Sequence, residues 1–319
     1  MTVKKEYIVL AVIIVVLVLV LVLRDQDRTH YTLPELEPIE KMQITRIVVS
    51  RADSSLTLAR HDEIWKIEPY GYPVDQGQVD KMLDALTGFT LTTLVSESEN
   101  YVPYELDGEK RIGIEAFAGD TRIVRFDIGK PASTYRHTFV RLEDDPKIYQ
   151  ARENLRSVFD KQIDQIHDKV VLAVEKEYIT DLTFIGAADS LALMRVEPGS
   201  SAVPPVGGDT LMAEPVSPWR TIDGRGADEK IVDGVVDRLV SLKCDSYIYG
   251  KMKDDFTDPI FTLRVNSSAP ATLSVFEKRD DNKYPAVSSE NDYPFLLPEW
   301  VVKQINKTPD ELLGTGEGM

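Results

Sequence analysis

Two stretches of the chain repeat the same helical spacing of apolar positions. The spacing of 0, 3, 4, 7 and 10 residues places the apolar side chains on one face of a helix. The first stripe is Val79, Met82, Leu83, Leu86 and Phe89, and the second is Val232, Val235, Val236, Leu239 and Leu242. One tryptophan precedes each stripe by 14 and 13 residues. We therefore predict a duplicated module with a repeated core that contains Trp65, Val79, Leu83, Leu86, Trp219, Val232, Val236 and Leu239.

Segments typical of β-strands surround each predicted helix. They are rich in β-branched residues or alternate polar with apolar ones, at residues 44–49, 55–60, 64–67, 93–96, 111–117, 122–128, 138–142 and 147–150. The second half restarts at Ile179, 135 residues after Ile44, while the two tryptophans are 154 apart. An insertion of nineteen residues explains the difference, and the Pro/Gly-rich stretch 198–218 fits it. The pattern predicts an α+β fold of two tandem, internally repeated units, each a mainly antiparallel sheet with one main helix.

The same patterns divide the chain into segments. Asp75 is the expected N-cap of the first helix, in a capping box with Gln78, and Asp228 that of the second. A short amphipathic helix is expected to close each half, at residues 153–162 and 299–305. The predicted segments are a transmembrane signal anchor at 1–24, a linker at 25–43, a first α+β repeat at 44–172, a second at 173–307 and a disordered tail at 308–319.

The N-terminal apolar run predicts a membrane anchor. It covers 17 uncharged residues, which as a helix rise about 26 Å against a hydrocarbon core of about 30 Å. Because no Ala-x-Ala cleavage site follows it, we expect an uncleaved single-pass anchor, which includes Tyr7, Leu10, Val15, Leu19 and Leu23. Lys4 and Lys5 favour a cytoplasmic N-terminus. The bulk of the chain is then expected outside the inner membrane of a bacterium, in the periplasm.

Charge and composition exclude several functions. The 319 residues carry a formal net charge of −16, and this field repels phosphate backbones, so we expect no nucleic-acid partner. The single cysteine, Cys244, excludes an internal disulfide. The chain has no P-loop, no Gly-x-Ser-x-Gly elbow and no His-Glu-x-x-His motif. We accordingly assign no catalytic residue, cofactor or metal, and interpret His61-Asp62-Glu63 as a solvated turn.

Aromatic residues near the first helix are the remaining candidates for a binding surface. Exposed tyrosines suit recognition of a protein or glycan, and we take Tyr70, Tyr72, Tyr101 and Tyr104 as a candidate partner surface. The alternative is that these side chains cover sheet edges and helix ends.

Several short motifs together resemble a known family, the domain of unknown function 4340. They match well over residues 44–165 and more faintly beyond, at Trp65-Lys66-Ile67-Glu68-Pro69, Val74-Asp75, Tyr104-Glu105-Leu106-Asp107, Ile128-Gly129-Lys130, Tyr135, Val140-Arg141 and Ile148-Tyr149. One departure is Glu105, where the family tends to have glycine, and it puts the local turn in doubt. The resemblance implies a membrane-anchored bacterial protein, similar in setting to accessory subunits of gliding-motility-type ABC transporters. It supplies no catalytic residues.

These observations lead to a functional hypothesis with two alternatives. We expect a non-catalytic, membrane-anchored accessory protein whose external part binds a transporter or envelope component. The first alternative is an envelope hydrolase with an unrecognised site between the repeats, and the second is a structural spacer.

Overall fold

The computed structural model describes residues 12–19, 31–196, 217–279 and 281–314. They form two compact units that divide between Ile163 and Asp164. Most of the predicted insertion at 198–218 lies outside the described residues, as do Tyr7, Leu10 and Leu23 of the predicted anchor.

The described residues of the first unit form a nine-stranded sheet in the order β4-β3-β2-β1-β6-β7-β8-β9-β5. Neighbouring strands in it pair antiparallel. The strands are β1 (Arg46–Ser50), β2 (Ser55–His61), β3 (Ile64–Glu68), β4 (Tyr72–Pro73), β5 (Leu91–Ser96), β6 (Ile112–Ala118), β7 (Thr121–Pro131), β8 (His137–Leu142) and β9 (Ile148–Arg152).

One long helix packs on this sheet. Helix α1 (Gln76–Thr87) contacts β3 and the shorter helix α2 (Leu155–Phe159). The Asp75 side chain caps α1 by accepting from the Gly77 N–H at 2.8 Å. The expected partner Gln78 is not part of this cap. Gln76 instead donates to the backbone oxygen of Trp65 at 3.2 Å, which ties the start of the helix to the strand before it.

The second unit repeats this arrangement in its described residues. Its main sheet has eight strands in the order β13-β12-β11-β16-β17-β18-β19-β15. The strands of this unit are β10 (Val170–Leu172), β11 (Asp181–Gly186), β12 (Ser190–Arg195), β13 (Trp219–Thr221), β14 (Leu242–Lys243), β15 (Ser246–Tyr247), β16 (Phe261–Asn266), β17 (Ala271–Val275), β18 (Lys283–Ser288) and β19 (Phe295–Pro298). Two of them, β10 and β14, form a separate two-stranded sheet. The helices that complete the chain are α3 (Ile163–Ile166), α4 (Glu229–Leu239), α5 (Glu299–Ile305) and α6 (Pro309–Leu312).

Strand order shows that the two units have one topology. The order 3-2-1-6-7-8-9-5 in the first sheet corresponds strand by strand to 13-12-11-16-17-18-19-15 in the second. Along the chain, the main helix follows β3 and the short β4 in the first unit and β13 in the second, and Asp228 caps α4 as Asp75 caps α1. The prediction of a mixed helix and sheet fold with antiparallel sheets is confirmed.

The correspondence begins before the predicted repeat start at residue 44. Lys41 lies in a 3₁₀ turn ahead of β1, and its Nζ is 3.0 Å from Asp84 of α1. Lys176 lies in the matching turn ahead of β11, and its Nζ is 2.6 Å from Asp237 of α4. The end of the predicted linker therefore belongs to the folded first unit.

Two further boundaries differ from the predicted ones. Residues 164–172 belong to the second unit rather than the first, because β10 pairs with β14 of that unit. The start of the predicted disordered tail is ordered as well. Thr308 and Glu311 form a capping box for α6, and Leu312 is fully buried. Residues 315–319 lie outside the described part of the chain.

The predicted anchor is described only at residues 12–19. These residues are helical, and the side chains of Val15 and Leu19 are more than half exposed. Across the described residues, we find no helix with the length and apolar character needed to cross a membrane.

Candidate functional site

Strand alternation gives the first sheet one apolar and one charged face. On β6, Ile112, Ile114 and Ala116 are buried in the core, so Gly113 and Glu115 between them point to the opposite face. We call that side the open face. It carries a cluster of arginine and carboxylate side chains, contributed by β6, β7, β8 and the residues next to them.

Asp127 is the centre of this cluster. Strand register places it between Gly113 on β6 and Arg141 on β8. Arg111 Nη1 donates to both carboxylate oxygens, at 2.9 and 2.8 Å, and Arg141 Nη2 donates to Oδ2 at 2.5 Å. The Asp127 side chain is 9% exposed. A Cβ at Gly113 would lie 3.5 Å from Asp127 Oδ1, which is an ordinary van der Waals contact, so the carboxylate does not require glycine at this position.

Arg141 is held between Asp127 and an aromatic ring. Its guanidinium lies 4.6 Å from the centroid of the Tyr101 ring, in cation–π geometry. Burial lowers the pKa of Arg141, but the hydrogen bonds to Asp127 and Tyr101 outweigh it and leave that pKa above its ordinary value. Tyr101 also donates to the backbone oxygen of Pro146 at 3.2 Å. The ring is thus fixed beside the cluster.

The Tyr101–Leu106 segment covers one end of the open face. Tyr104 packs its ring against Phe139 of β8, with centroids 5.0 Å apart. A Cβ on Gly129 of β7 would lie 2.2 Å from the Tyr104 backbone oxygen, which explains the glycine in the Ile128-Gly129-Lys130 motif. Close approach of this segment to β7 therefore requires glycine at position 129.

A second ion-pair group extends the cluster. Arg125 bridges Glu115, at 3.4 Å, and Glu143, at 3.1 Å. Arg122 contacts the same two carboxylates, at 3.4 and 2.5 Å. These four side chains are 25% to 42% exposed, so their pairing is screened and contributes little stability.

Two adjoining depressions cross the cluster. The one toward β1, of about 280 Å³, reaches Ser50 and Arg51. The one toward β8, of about 360 Å³, reaches Arg141 and Asp144. Both are lined by Arg111, Arg125 and Asp127. We call the two depressions together the charged trough.

The matching face of the second unit carries no such group in its described strands. The pair Ile114–Phe126 of the first sheet corresponds to the pair Leu263–Leu273 of the second. The neighbouring positions of the two sheets are aligned by counting from these pairs. Arg111, Gly113, Asp127 and Arg141 thus correspond to Ile260, Thr262, Ser274 and Val287. Where the first unit has an ion-pair cluster, the second has a hydroxyl pair, Thr262 and Ser274, 3.1 Å apart.

The residues proposed from sequence fall into different environments. All eight assigned to the repeat core are buried, with at most 5% exposure. The four tyrosines form two separate pairs. Tyr70 is 68% exposed and Tyr72 is 3% exposed, at the β3–β4 turn, so Tyr72 offers almost no surface to a partner. Tyr101 and Tyr104 contact β8, which is separated from β3 by four strands of the sheet.

Cys244 and the His61-Asp62-Glu63 turn, the other candidate groups, lie in structural rather than catalytic surroundings. Cys244 is buried, and burial raises the pKa of its thiol to about 12, despite the nearby Lys169. His61, Asp62 and Glu63 form the β2–β3 turn, where His61 Nε2 lies 2.6 Å from Glu68. Among the described side chains, no group of three His, Cys, Asp or Glu residues is arranged to hold a metal ion.

Comparison with known proteins identifies the family. The family described as domain of unknown function (DUF4340) matches residues 65–260, which is more than half of the chain. The chain belongs to this family. No curated protein and no solved structure matches this family member significantly.

Most of the charged trough was missed from sequence. Arg141 belongs to a family motif, but the sequence marks Arg111, Arg125 and Asp127 only as positions within predicted strands. Comparison of the two repeats position by position is the signal that finds them, because the core positions stay apolar while these positions change from charged to neutral.

Proposed function

We propose that this chain is a non-catalytic accessory protein, anchored by its N-terminus in the inner membrane of a bacterium with both folded units outside the cytoplasm. In this function the charged trough of the first unit binds a partner protein, a transporter or envelope component.

The observation that carries the proposal is the difference between the two repeats. Both sheets have the same strand order and a buried core, so the fold itself does not require an ion-pair cluster. Partly burying charges costs desolvation free energy, which pairing offsets only in part. The second unit avoids this desolvation free energy, because the uncharged Ser274 and Val287 stand at the positions of Asp127 and Arg141. A cluster retained at this cost is a candidate for binding.

The anchor part of the proposal rests on the apolar run from Tyr7 to Leu23. Its described portion, residues 12–19, is helical with exposed Val and Leu side chains, which suits an apolar surrounding. A transporter as the partner is proposed from the family resemblance alone. The crosslinking experiment detects a protein partner of any kind.

Site-specific photo-crosslinking tests the binding surface. Thr57 on β2 lies on the open face beside Val48, whose other neighbour is Glu115. Ala192 on β12 is its counterpart in the second unit, since it pairs with Thr183 as Thr57 pairs with Val48. A photoreactive amino acid is placed at one position or the other in the full chain, expressed in its native host. We expect a discrete protein adduct from position 57 and none from position 192.

Charge reversal supplies the control. Arg125→Glu in the crosslinking chain should reduce the adduct from position 57 severalfold, whereas Arg264→Glu, at the second-unit position that matches Glu115, should leave it unchanged. Equal adducts from positions 57 and 192, or none from either at native expression, would contradict binding by the first unit.

A further inference from the structure

We infer that the charged trough binds a dipolar peptide segment, in which an acidic and a basic residue stand about four positions apart. This inference names the ligand class for the proposed function and rests on it. It follows from two charged groups that line the depression toward β8, the outer edge of Arg111 and the carboxylate of Asp144, which have no partner among the described residues.

The first group is the outer edge of Arg111. Arg111 uses one nitrogen, Nη1, to reach both oxygens of Asp127. Its Nε and Nη2 donate to no acceptor among the described residues, and the side chain is 37% exposed. The Nε–Nη2 edge is the planar fork that pairs bidentately with a carboxylate. Asp127 neutralises one of the two arginines that it contacts, so the Arg111–Asp127–Arg141 group keeps one positive charge.

The second group is the carboxylate of Asp144. This residue follows β8 in the hairpin to β9 and lines the depression on that side. It is exposed and makes no ion pair or side-chain hydrogen bond to any described residue. Neighbouring Asp145 is engaged differently, because it accepts from the Tyr149 hydroxyl at 2.7 Å and from the Lys147 N–H at 2.9 Å. Asp144 is therefore the acidic group available to a cation in this part of the trough.

Dimensions set the spacing of the ligand charges. The trough runs from Ser50 on β1 across β6 and β7 to β8. Arg111 precedes β6 and reaches Asp127, which is level with Arg141 on β8. Asp144 lies three residues beyond Arg141. Two strand spacings of about 4.8 Å from β6 to β8, combined with about 10 Å along the chain from Arg141 to Asp144, give a diagonal of about 14 Å, which an extended peptide covers in about four residues. A peptide carboxylate on Arg111 then brings a lysine or arginine four residues away to Asp144. Purely acidic segments are disfavoured by Asp144, Glu143 and the net charge of −16.

Fluorescence anisotropy with synthetic peptides tests this inference on the purified full chain. The probe is labelled Gly-Glu-Ser-Ala-Ser-Lys-Gly, and two control peptides replace its Glu or its Lys by Gln. We expect the dipolar probe to bind, and each control to bind at least fivefold more weakly, as the loss of a charge-assisted hydrogen bond implies. Because these changes are in the peptide, the fold of the protein is not affected.

Variants of the protein assign each charge to its partner. Asp144→Asn should abolish the preference for Lys over Gln and keep the preference for Glu, while Arg111→Gln should do the reverse. Arg264→Gln on the exposed face of the second sheet is the matched control and should bind like the parent chain.

Three results would overturn the inference. They are no binding of the dipolar probe at millimolar concentration, equal binding of all three peptides, and an Asp144→Asn chain that discriminates like the parent. If the adduct from position 57 is nevertheless obtained and depends on Arg125, the proposed function stands and the ligand class is wrong.

Discussion

Glu105 adopts a backbone conformation that is strained for an L-residue. Its φ of 56° and ψ of 36° lie in the left-handed region, where a side chain costs about 1 kcal/mol relative to glycine. Arg156 offsets part of this cost, because its Nη1 donates to Glu105 Oε2 at 3.0 Å. The departure from the family's glycine therefore keeps the turn and replaces backbone freedom with an ion pair.

Substitution of Glu105 by glycine and by alanine separates these two effects. Both variants lose the ion pair with Arg156, but Glu105→Ala keeps the strained φ and Glu105→Gly relieves it. We expect the glycine variant to be more stable than the alanine variant by about 1 kcal/mol, measured by chemical denaturation of the full chain. Equal stabilities, or a more stable alanine variant, would show that the turn is not strained in solution.

Cys244 is expected to reduce the stability of the second unit at alkaline pH. Burial raises its thiol pKa from 9.0 to about 12, so the native state holds the proton more tightly than the unfolded chain. The stability from the neutral buried thiol is then fully present below pH 9 and is lost as pH rises toward 12. Cys244→Ala should reduce the loss of unfolding free energy between pH 9 and pH 11 by about 2 kcal/mol.

Comparison of the parent chain and the Cys244→Ala variant in urea at several pH values measures this difference. Tyr247→Phe in both chains removes a second titrating group, because burial and then the charge of Cys244 raise the pKa of Tyr247. Parallel pH profiles for the two chains would mean that Cys244 ionises freely. Rapid alkylation of Cys244 by iodoacetamide in the native chain at pH 8 would lead to the same conclusion.

The limits of sequence reasoning are clearest at single residues. Core positions such as Leu83 and Val236 follow from periodicity, because helical spacing alone determines which side is buried. Asp127 has no such signal. Its role depends on Arg111 and Arg141, which approach it through the register of the β6–β7 and β7–β8 hairpins. That register depends on turn geometry and on the bulges in both hairpins, which apolar periodicity does not encode.

Elements were predictable where they repeat. The two stripes predicted α1 and α4, and their last stripe positions differ from the prediction in the same way. Phe89 and Leu242 both lie beyond the helix end, and Phe89 stacks on Phe126 of β7 with centroids 4.2 Å apart. The position of β5 was not predictable, because it pairs with β9, more than fifty residues later, rather than with a strand adjacent in sequence.

The duplicated helices predict matched effects of matched substitutions. Leu86 of α1 and Leu239 of α4 occupy the same stripe position, and both are at most 1% exposed. Because each is fully enclosed, replacement by alanine should cost about 2–5 kcal/mol of unfolding free energy at either site. Lys81→Ala, on the exposed side of α1, should change stability by less than about 0.5 kcal/mol.

Urea denaturation followed by tryptophan fluorescence measures these changes, since Trp65 and Trp219 lie in the strands before the two helices. Losses similar to that of Lys81→Ala at either leucine would contradict the packing of that helix. A large loss at Leu86 with none at Leu239 would show that the two units do not share one core design.

At the scale of the whole molecule, apolar surface and charge are segregated along the chain. The apolar run from Tyr7 to Leu23 has no charged residue, whereas the chain as a whole has 90 charged side chains among Lys, Arg, Asp and Glu, with a net charge of −16. An apolar surface of this kind is favourable in lipid, and a strongly charged one is favourable in water. The proposed anchor and the folded units thus prefer different surroundings.

Membrane fractionation of two chains in a bacterial host tests this segregation. The full chain should sediment with membranes and resist extraction by alkaline carbonate. A chain that starts at Tyr31 should remain in the supernatant and keep the near-ultraviolet circular dichroism of its three tryptophans. Val15→Lys in the full chain should weaken membrane retention, because a lysine at the centre of a spanning helix costs about 3 kcal/mol. Proteolysis of intact spheroplasts then reports orientation, since external units are digested. Carbonate extraction of the full chain, or protection of its folded units in spheroplasts, would contradict the proposed placement while leaving the charged trough and its peptide test unaffected.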